Sequence, residues 1–252
     1  QMCKETALAL DTAAEGADGV SEPSARIGPN AIIQLGVVVG DRFGEDARRE
    51  IFRSAGLTGY LEALPDAMVD EAEVIALHRA LRAVASAELC RAVSWEAGLL
   101  TGDYILANRI PKPAQVVLKF LPRRLASKAL TAAIAKHSWT FAGSGVFRAI
   151  STNPLVLHIA DSPLCRGEHA ADPICDYYAG TFTRLYRSLV DSRITIVETA
   201  CGAVDGGPCR FEEVAAGPLA RAEPGILALD PRRADDYARP MQDPTLIPII
   251  SS

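Results

Sequence analysis

The chain has 252 residues, of which 49% are hydrophobic and 23% are charged, a composition typical of a globular protein and not of a disordered one. Its length favours a single domain with extensions over two full domains, and its net charge of -5 provides no basic footprint for nucleic acid. The six cysteines form no dense framework, and no apolar run reaches the length of a signal-peptide core or a bilayer span. We therefore expect a soluble, cytoplasmic protein that does not cross a membrane.

The two ends of the chain differ in composition from its middle. Residues 1–25 are rich in Ala, Gly, Glu and Asp with little to bury, which predicts a flexible N-terminal arm. Residues 218–252 are rich in Pro, Asp and Arg and predict a linker-like C-terminal tail. A single ligand-binding domain is expected over residues 26–217.

Helical periodicity dominates the first half of this domain. Residues 45–55 predict a short helix, and residues 67–96 predict a long helical stretch whose Glu71 and Glu73 face solvent. Residues 113–136 predict a second long helix that Pro122 either kinks or divides. His78 and Cys90 are isolated on the helical stretch, where such residues are usually packed or at the surface, so no function is assigned to them.

The second half alternates between strand and helix patterns. Residues 154–160 place Leu155, Leu157 and Ile159 on one face of a strand. Residues 174–190 predict a helix, and residues 194–199 and 210–214 predict a β-hairpin because Asp205-Gly206-Gly207-Pro208 is suited to a turn.

This hairpin carries a candidate metal site. Cys201 and Cys209 flank its turn, Glu198 lies just upstream, and Cys175 begins the preceding helix, a set of three thiols and one carboxylate that suits tetrahedral Zn²⁺. A disulfide between Cys201 and Cys209, or thiols buried only for packing, remain alternatives. Residues three apart on a strand point to opposite faces, so the strand must end or bulge between Glu198 and Cys201. Cys165 is kept as a reserve ligand.

The spacing of Cys175, then Glu198-x2-Cys201-x7-Cys209, resembles the zinc-binding signature of the 4-vinyl reductase domain family, which also occurs in bacterial sensors of aromatic compounds. The resemblance implies a structural zinc held by these four residues. It also implies an α/β (α+β) fold, with a helical layer packed on a small antiparallel sheet, and a homodimer.

Three further segments are similar to the bacteriochlorophyll 4-vinyl reductase branch of that family: Arg26-Ile27-Gly28-Pro29-Asn30-Ala31, TGDYILANRIP from Thr101, and HSWTFAGSG from His137. The candidate ligand-binding residues lie here. Trp139 and Phe141 offer flat apolar area, His137 offers an imidazole that would suit a magnesium tetrapyrrole, and Tyr104 belongs to the middle segment. The alternative is a helix end followed by a core strand, with His137 capping the helix carbonyls.

The family name implies reduction of a vinyl group, yet no dinucleotide fingerprint, P-loop or iron–sulfur cysteine run is present in the sequence. We therefore prefer an accessory protein that binds a magnesium-protoporphyrin or chlorophyllide intermediate and presents it to pathway enzymes such as magnesium chelatase and magnesium-protoporphyrin methyltransferase. A vinyl reductase that depends on an unseen cofactor is the alternative, so enzyme activity is left open. A ligand-sensing or protein-interaction module is the third hypothesis.

Overall fold

The computed structural model describes residues 25–214. The predicted arm, except for Ala25, and the predicted tail at 218–252 lie outside the described residues. Within the described part, two short strands, β1 (Arg26–Ile27) and β2 (Val69–Asp70), pair antiparallel and bracket three helices: α1 (Asn30–Phe43), α2 (Glu45–Ser54) and α3 (Gly59–Glu62). The apolar segment at 31–39 is therefore the buried part of α1, since its residues Ile32, Leu35 and Val38 are buried.

The predicted helical stretch over residues 67–96 is wrong as a single element. It forms α4 (Glu71–Val84), which ends before Ser86, and α5 (Ala87–Asn108). Ser86 adopts extended backbone geometry and its hydroxyl accepts a hydrogen bond from the N–H of Leu89 at 3.3 Å. An N-cap of this kind begins a new helix even where apolar periodicity continues, because it satisfies a backbone donor that a first turn leaves unpaired.

A second expectation also fails in this region. Glu71 begins α4 and is buried, whereas the sequence pattern placed it in solvent. Its carboxylate accepts hydrogen bonds from the backbone N–H and the hydroxyl of Ser144, and it forms an ion pair with Arg166 at 2.7 Å. A pattern of periodicity cannot reveal partners that lie 73 and 95 residues away along the chain.

Proline divides the predicted helix over residues 113–136. The products are α6 (Lys112–Phe120) and α7 (Arg123–Lys136), with Pro122 immediately before α7. A proline cannot donate a backbone hydrogen bond within a helix, but it is well suited to its beginning. The short helix α8 (Trp139–Ala142) follows, and His137 is the C-terminal cap of α7.

The remaining elements form the antiparallel sheet and the helix that covers it, which confirms the predicted fold class. They are β3 (Val146–Thr152), β4 (Leu155–Ala160), α9 (Asp176–Leu189), β5 (Thr195–Ala200), α10 (Gly202–Asp205) and β6 (Cys209–Val214). The strand order is β3-β4-β6-β5. Leu155, Leu157 and Ile159 are buried, as the alternating pattern predicted. The strand after the HSWTFAGSG segment is an edge strand with a largely exposed surface and not a core strand.

Helix α9 lies against both the sheet and α5, and glycines set its distance from α5. A Cβ atom on Gly98 would stand 2.2 Å from the carbonyl oxygen of Tyr177, and one on Gly180 would stand 2.3 Å from that of Trp95. On the other side, the Thr183 hydroxyl donates to the carbonyl of Ile196 and accepts from its N–H. These contacts fix the N-terminus of α9, and with it Cys175, beside the β5–β6 hairpin.

None of the helices formed by residues 25–214 combines the length and the apolar character that crossing a membrane requires.

Candidate metal centre and ligand cavity

Four buried cysteines come together at the junction of α9 with the β5–β6 hairpin. Cys175 caps the start of α9, Cys201 follows β5, and Cys209 begins β6. The fourth, Cys165, lies in the loop after β4 and was kept only as a reserve ligand. The structure therefore brings together the three predicted cysteines and adds this one.

The spacing of the four sulfur atoms fits a metal ion. Their Sγ atoms all lie within 4.8 Å of one another, with separations of 3.7 Å for Cys175–Cys209, 3.8 Å for Cys201–Cys209 and 4.0 Å for Cys175–Cys201. A tetrahedron with zinc–sulfur bonds of about 2.3 Å has sulfur–sulfur edges of about 3.8 Å. A disulfide requires about 2.05 Å, and these cysteines are free thiols. The cluster can hold a metal ion.

The strand irregularity required by the sequence argument is present. The pairing of β5 with β6 shifts register between Glu198 and Ala200, and β5 ends before Cys201. This bulge turns Glu198 and Cys201 toward the same buried region, although they are three residues apart. Gly206, with a φ of 74°, then closes the turn in a left-handed conformation that glycine adopts without steric cost.

Glu198 lies beside the cysteine cluster. Its Oε2 atom accepts a hydrogen bond from the backbone N–H of Cys175 at 2.6 Å, while its buried Oε1 atom has no hydrogen-bond partner among the described residues. Burial, followed by the charge of Cys201, raises the pKa of Glu198 to about 9. A carboxyl group in this position is costly to ionise unless a cation is bound nearby.

The thiols also influence one another. Hydrogen bonds from Cys165, Cys175 and Cys209 lower the pKa of Cys201, whereas burial raises that of Cys175. Several negative charges cannot share this buried space without compensation, because desolvation and mutual repulsion oppose each additional ionisation. A divalent cation would supply that compensation.

A separate apolar cavity of about 110 Å³ lies on the other side of α9. It is formed by α1, α5, α7, α8 and α9, and three of the four predicted ligand-binding residues line it: Tyr104, His137 and Phe141. Trp139 does not line it, and its side chain is 47% exposed. Tyr104 and His137 are buried although they come from different helices.

Arg109 is a cavity residue that the sequence analysis missed. It caps the end of α5, lines the cavity, and donates a hydrogen bond from Nη2 to the Tyr104 hydroxyl at 3.2 Å. Its guanidinium carbon also lies 5.6 Å from the centre of the Tyr104 ring. The available signal was a cation five residues after an aromatic residue inside the TGDYILANRIP segment, which places both near one helix face.

Aromatic side chains connect the cavity with the metal cluster. Phe141, Tyr178 and Phe182 line the cavity, and Tyr178 and Phe182 also pack against Phe211 of β6. The Tyr178 hydroxyl donates to the carbonyl of Phe141 at 2.9 Å. Because Cys175 begins the helix that carries Tyr178 and Phe182, a change at the metal cluster would be transmitted to the wall of the cavity.

The Gly-Ser-Gly of the HSWTFAGSG segment serves backbone packing. A Cβ atom on Gly143 would stand 2.2 Å from Oε2 of Glu71, and one on Gly145 would stand 2.8 Å from the carbonyl oxygen of Ala160. Burial acts to raise the pKa of Glu71, but hydrogen bonds from Ser144 and Arg166 outweigh it and lower that pKa. These glycines therefore allow another backbone and a buried carboxylate to approach, which was one of the two roles considered for them.

Comparison with known proteins places this architecture. The family model of the 4-vinyl reductase domain matches residues 155–214, the stretch that contains all four clustered cysteines and Glu198. Over 187 residues, the chain is 46% identical to the bacteriochlorophyll synthase 23 kDa chain of Cereibacter sphaeroides, covering 74% of this chain and 89% of that protein. It is 44% identical to the protein of the same name from Rhodobacter capsulatus, covering 74% and 85%.

The chain belongs to this family of 4-vinyl reductase domain proteins. The predicted resemblance is thereby confirmed. The metal cluster lies inside the matched domain stretch, whereas Tyr104, Arg109 and His137 precede it. The cavity is thus formed jointly by the matched stretch and the helices that come before it.

Proposed function

We propose that this 4-vinyl reductase domain protein is an accessory protein of bacteriochlorophyll biosynthesis that binds a magnesium tetrapyrrole, of the magnesium-protoporphyrin or chlorophyllide type, and presents it to pathway enzymes. The names of its two relatives support the pathway assignment. Magnesium chelatase and magnesium-protoporphyrin methyltransferase components are the proposed partners, a homodimer is the proposed assembly, and residues 26–217 are the proposed functional unit.

The observation that carries this proposal is the combination of groups around the cavity. A magnesium tetrapyrrole presents a flat apolar ring, a metal that accepts an axial nitrogen or oxygen ligand, and carboxylate side chains. The cavity offers Phe141 and Tyr178 as apolar walls, His137 as a nitrogen donor, and Arg109 as a partner for a carboxylate. Each chemical feature of the ligand class therefore has a counterpart in the cavity lining.

The volume of the cavity limits how the pigment binds. A cavity of about 150 Å³ accepts a single benzene ring, and drug-sized ligands occupy roughly 300–1,000 Å³. At about 110 Å³, the cavity accommodates one ring edge of a macrocycle, with the rest of the pigment outside or admitted by movement of the surrounding helices. The same volume favours a second candidate function, a sensing module for a single-ring aromatic compound.

The cysteine cluster is proposed to hold a structural Zn²⁺. The proposed ligands are Cys175, Glu198, Cys201 and Cys209, because a bound cation would satisfy the buried Oε1 atom of Glu198. Cys165 then acts as a neighbour, since its thiol already has the carbonyl of Ser162 as an acceptor and lies 3.3 Å from the Cys209 sulfur. A zinc ion with four protein ligands would join the start of α9 to the hairpin and has no open position for catalysis.

The proposal is tested by titrating the full chain with magnesium-protoporphyrin and following the Soret band. We expect a saturable shift without change in the vinyl groups, weakened by His137→Ala and by Arg109→Gln. His169→Ala is the matched control, because His169 is exposed and lies outside the cavity lining. Absence of a shift, together with saturable binding of phenol-like single rings, would establish the sensing function instead, and cofactor-dependent loss of a vinyl group would establish the reductase.

A further inference from the structure

The helices α6 and α7 lie in a segment with an unusual charge distribution. Residues 104–160 contain eight of the chain's 26 Lys and Arg residues and none of its 31 Asp and Glu residues. Four of the five lysines of the chain fall between Lys112 and Lys136. A protein with a net charge of -5 therefore has one strongly basic region, which the mechanism proposed for the cavity does not use.

The same helices expose large apolar side chains. Phe120 is 86% exposed, more than any other large hydrophobic residue in the described part of the chain. Val116, Val117 and Leu125 are each more than half exposed. Val116, Val117 and Phe120 share one side of α6, while Leu118 on the opposite side is buried. Exposing such side chains to water is unfavourable, and clusters of them mark interaction surfaces.

Cations lie between these apolar residues. Lys119 adjoins Phe120, while Arg124 and Lys128 flank Leu125 on α7, and all three are exposed. None of the three forms an ion pair with any residue within 25–214. Arg123 differs, because it pairs with Glu213 and with Asp191. The exposed side of α6 and of the first two turns of α7, here called the basic apolar face, thus combines uncompensated positive charge with exposed apolar area.

We propose that the basic apolar face docks on the surface of an anionic phospholipid bilayer, with Phe120 and Val117 inserted among the acyl chains and the lysines bound to lipid phosphates. Amphipathic helices that lie in a membrane interface have this composition: apolar residues on one side with Lys and Arg beside them. Each cation near an anionic membrane surface contributes about fivefold to binding, and lipid phosphates accept hydrogen bonds from Lys and Arg. The bilayer is favoured over an acidic protein because the apolar residues form a short exposed ridge and no groove surrounds them in the described part of the chain.

The test is sedimentation of the full chain with vesicles of phosphatidylcholine alone and of phosphatidylcholine mixed with phosphatidylglycerol. We expect binding to the mixed vesicles that weakens as salt is added, and little binding to phosphatidylcholine alone. Phe120→Ser should weaken binding roughly tenfold, and the double variant Lys119→Gln, Lys128→Gln roughly thirtyfold. All of these side chains are exposed, so the variants should unfold at the wild-type temperature.

Matched controls separate this face from general surface chemistry. Val84→Ser removes an apolar side chain that is 62% exposed at the end of α4, and the double variant Arg49→Gln, Arg53→Gln removes two exposed cations from α2. Both should bind the mixed vesicles as the wild type does. Equal weakening in the controls, or no binding of the wild type at low salt, would overturn the proposal. A change from dimer to monomer in Phe120→Ser, without vesicle binding by the wild type, would overturn it in favour of an interface between two copies of the chain.

Discussion

The carboxylate of Glu198 accepts a hydrogen bond from the backbone N–H of Cys175 at 2.6 Å, and this bond joins the β5–β6 hairpin to the first turn of α9. The bond uses only one carboxylate oxygen and leaves Oε1 directed into the buried region of the thiols without a partner in the described structure. Five groups, the four thiols and this carboxyl, thus compete for the four positions of a tetrahedral metal ion.

The first prediction concerns the fourth ligand. If Glu198 binds the metal, Glu198→Gln should weaken zinc binding by more than about a hundredfold, whereas Cys165→Ser should weaken it by roughly tenfold, as expected for a neighbour of a ligand. Cobalt substitution provides the measurement, because its sulfur-to-metal absorption increases with the number of bound thiolates. Cys165→Ser should leave that absorption intact. A clear decrease in Cys165→Ser, with none in Glu198→Gln, would instead show a four-cysteine site.

The second prediction is that the metal stabilises the fold. Cys201→Ser should lose the metal and lower the free energy of unfolding by about 3 kcal/mol or more, because Cys201 is fully buried and links β5 to α10. Cys90→Ser is the control, since Cys90 is only half-buried and lies outside the cluster. Chemical denaturation with and without a chelator measures both. A wild-type protein whose stability the chelator leaves unchanged would contradict a structural metal.

The third prediction addresses the packing of α5 against α9. Gly98→Ala should destabilise the protein by about 3 kcal/mol or prevent folding, because the added methyl group would overlap the carbonyl oxygen of Tyr177 at 2.2 Å. Gly59→Ala is the control, since a Cβ atom there meets nothing within 4 Å. Thermal unfolding of the two variants gives the comparison. If Gly98→Ala unfolded at the wild-type temperature, the close approach of these helices would be wrong.

The fourth prediction concerns pH. Burial, and then the charge of Arg82, lower the pKa of His78 to about 3, and its ring packs edge-on against Tyr177 at 5.7 Å. The unfolded chain has a histidine pKa of about 6.5, so as pH falls below that value the unfolded state gains a proton that the folded state refuses. This contribution to stability is therefore complete above about pH 6.5 and is lost progressively toward pH 3.

Denaturation at two pH values tests this assignment. Between about pH 7.5 and about pH 5.5, His78 should account for a loss of about 1.4 kcal/mol, and His78→Gln should lack that component. His169→Gln should retain it, because His169 is exposed. The difference between the two variants isolates His78 from the pH dependence of the thiols. Identical pH profiles for the two variants would show that His78 is not buried in the neutral form.

Local sequence patterns predicted most of the elements. The alternation of Leu155, Leu157 and Ile159 identified a buried strand, and Pro122 marked a helix boundary, because strand periodicity and proline geometry act within a few residues. The same local reasoning failed at residues 67–96, where the Ser86 cap interrupts the apolar pattern, and at Glu71, whose burial depends on the distant Ser144. Local patterns do not encode the partners that compensate a buried charge.

The candidate sites show where the division lies. The sequence by itself determined the Glu198-x2-Cys201-x7-Cys209 spacing, the turn that closes the hairpin, and the requirement for a bulge, since all follow from chain geometry over short distances. Only the tertiary structure decided that Cys165 meets Cys209 across 44 residues, and that Arg109 and His137 share a cavity while Trp139 faces solvent. Those contacts depend on how α5, α7 and α9 pack, and packing is set by shape complementarity across the whole core.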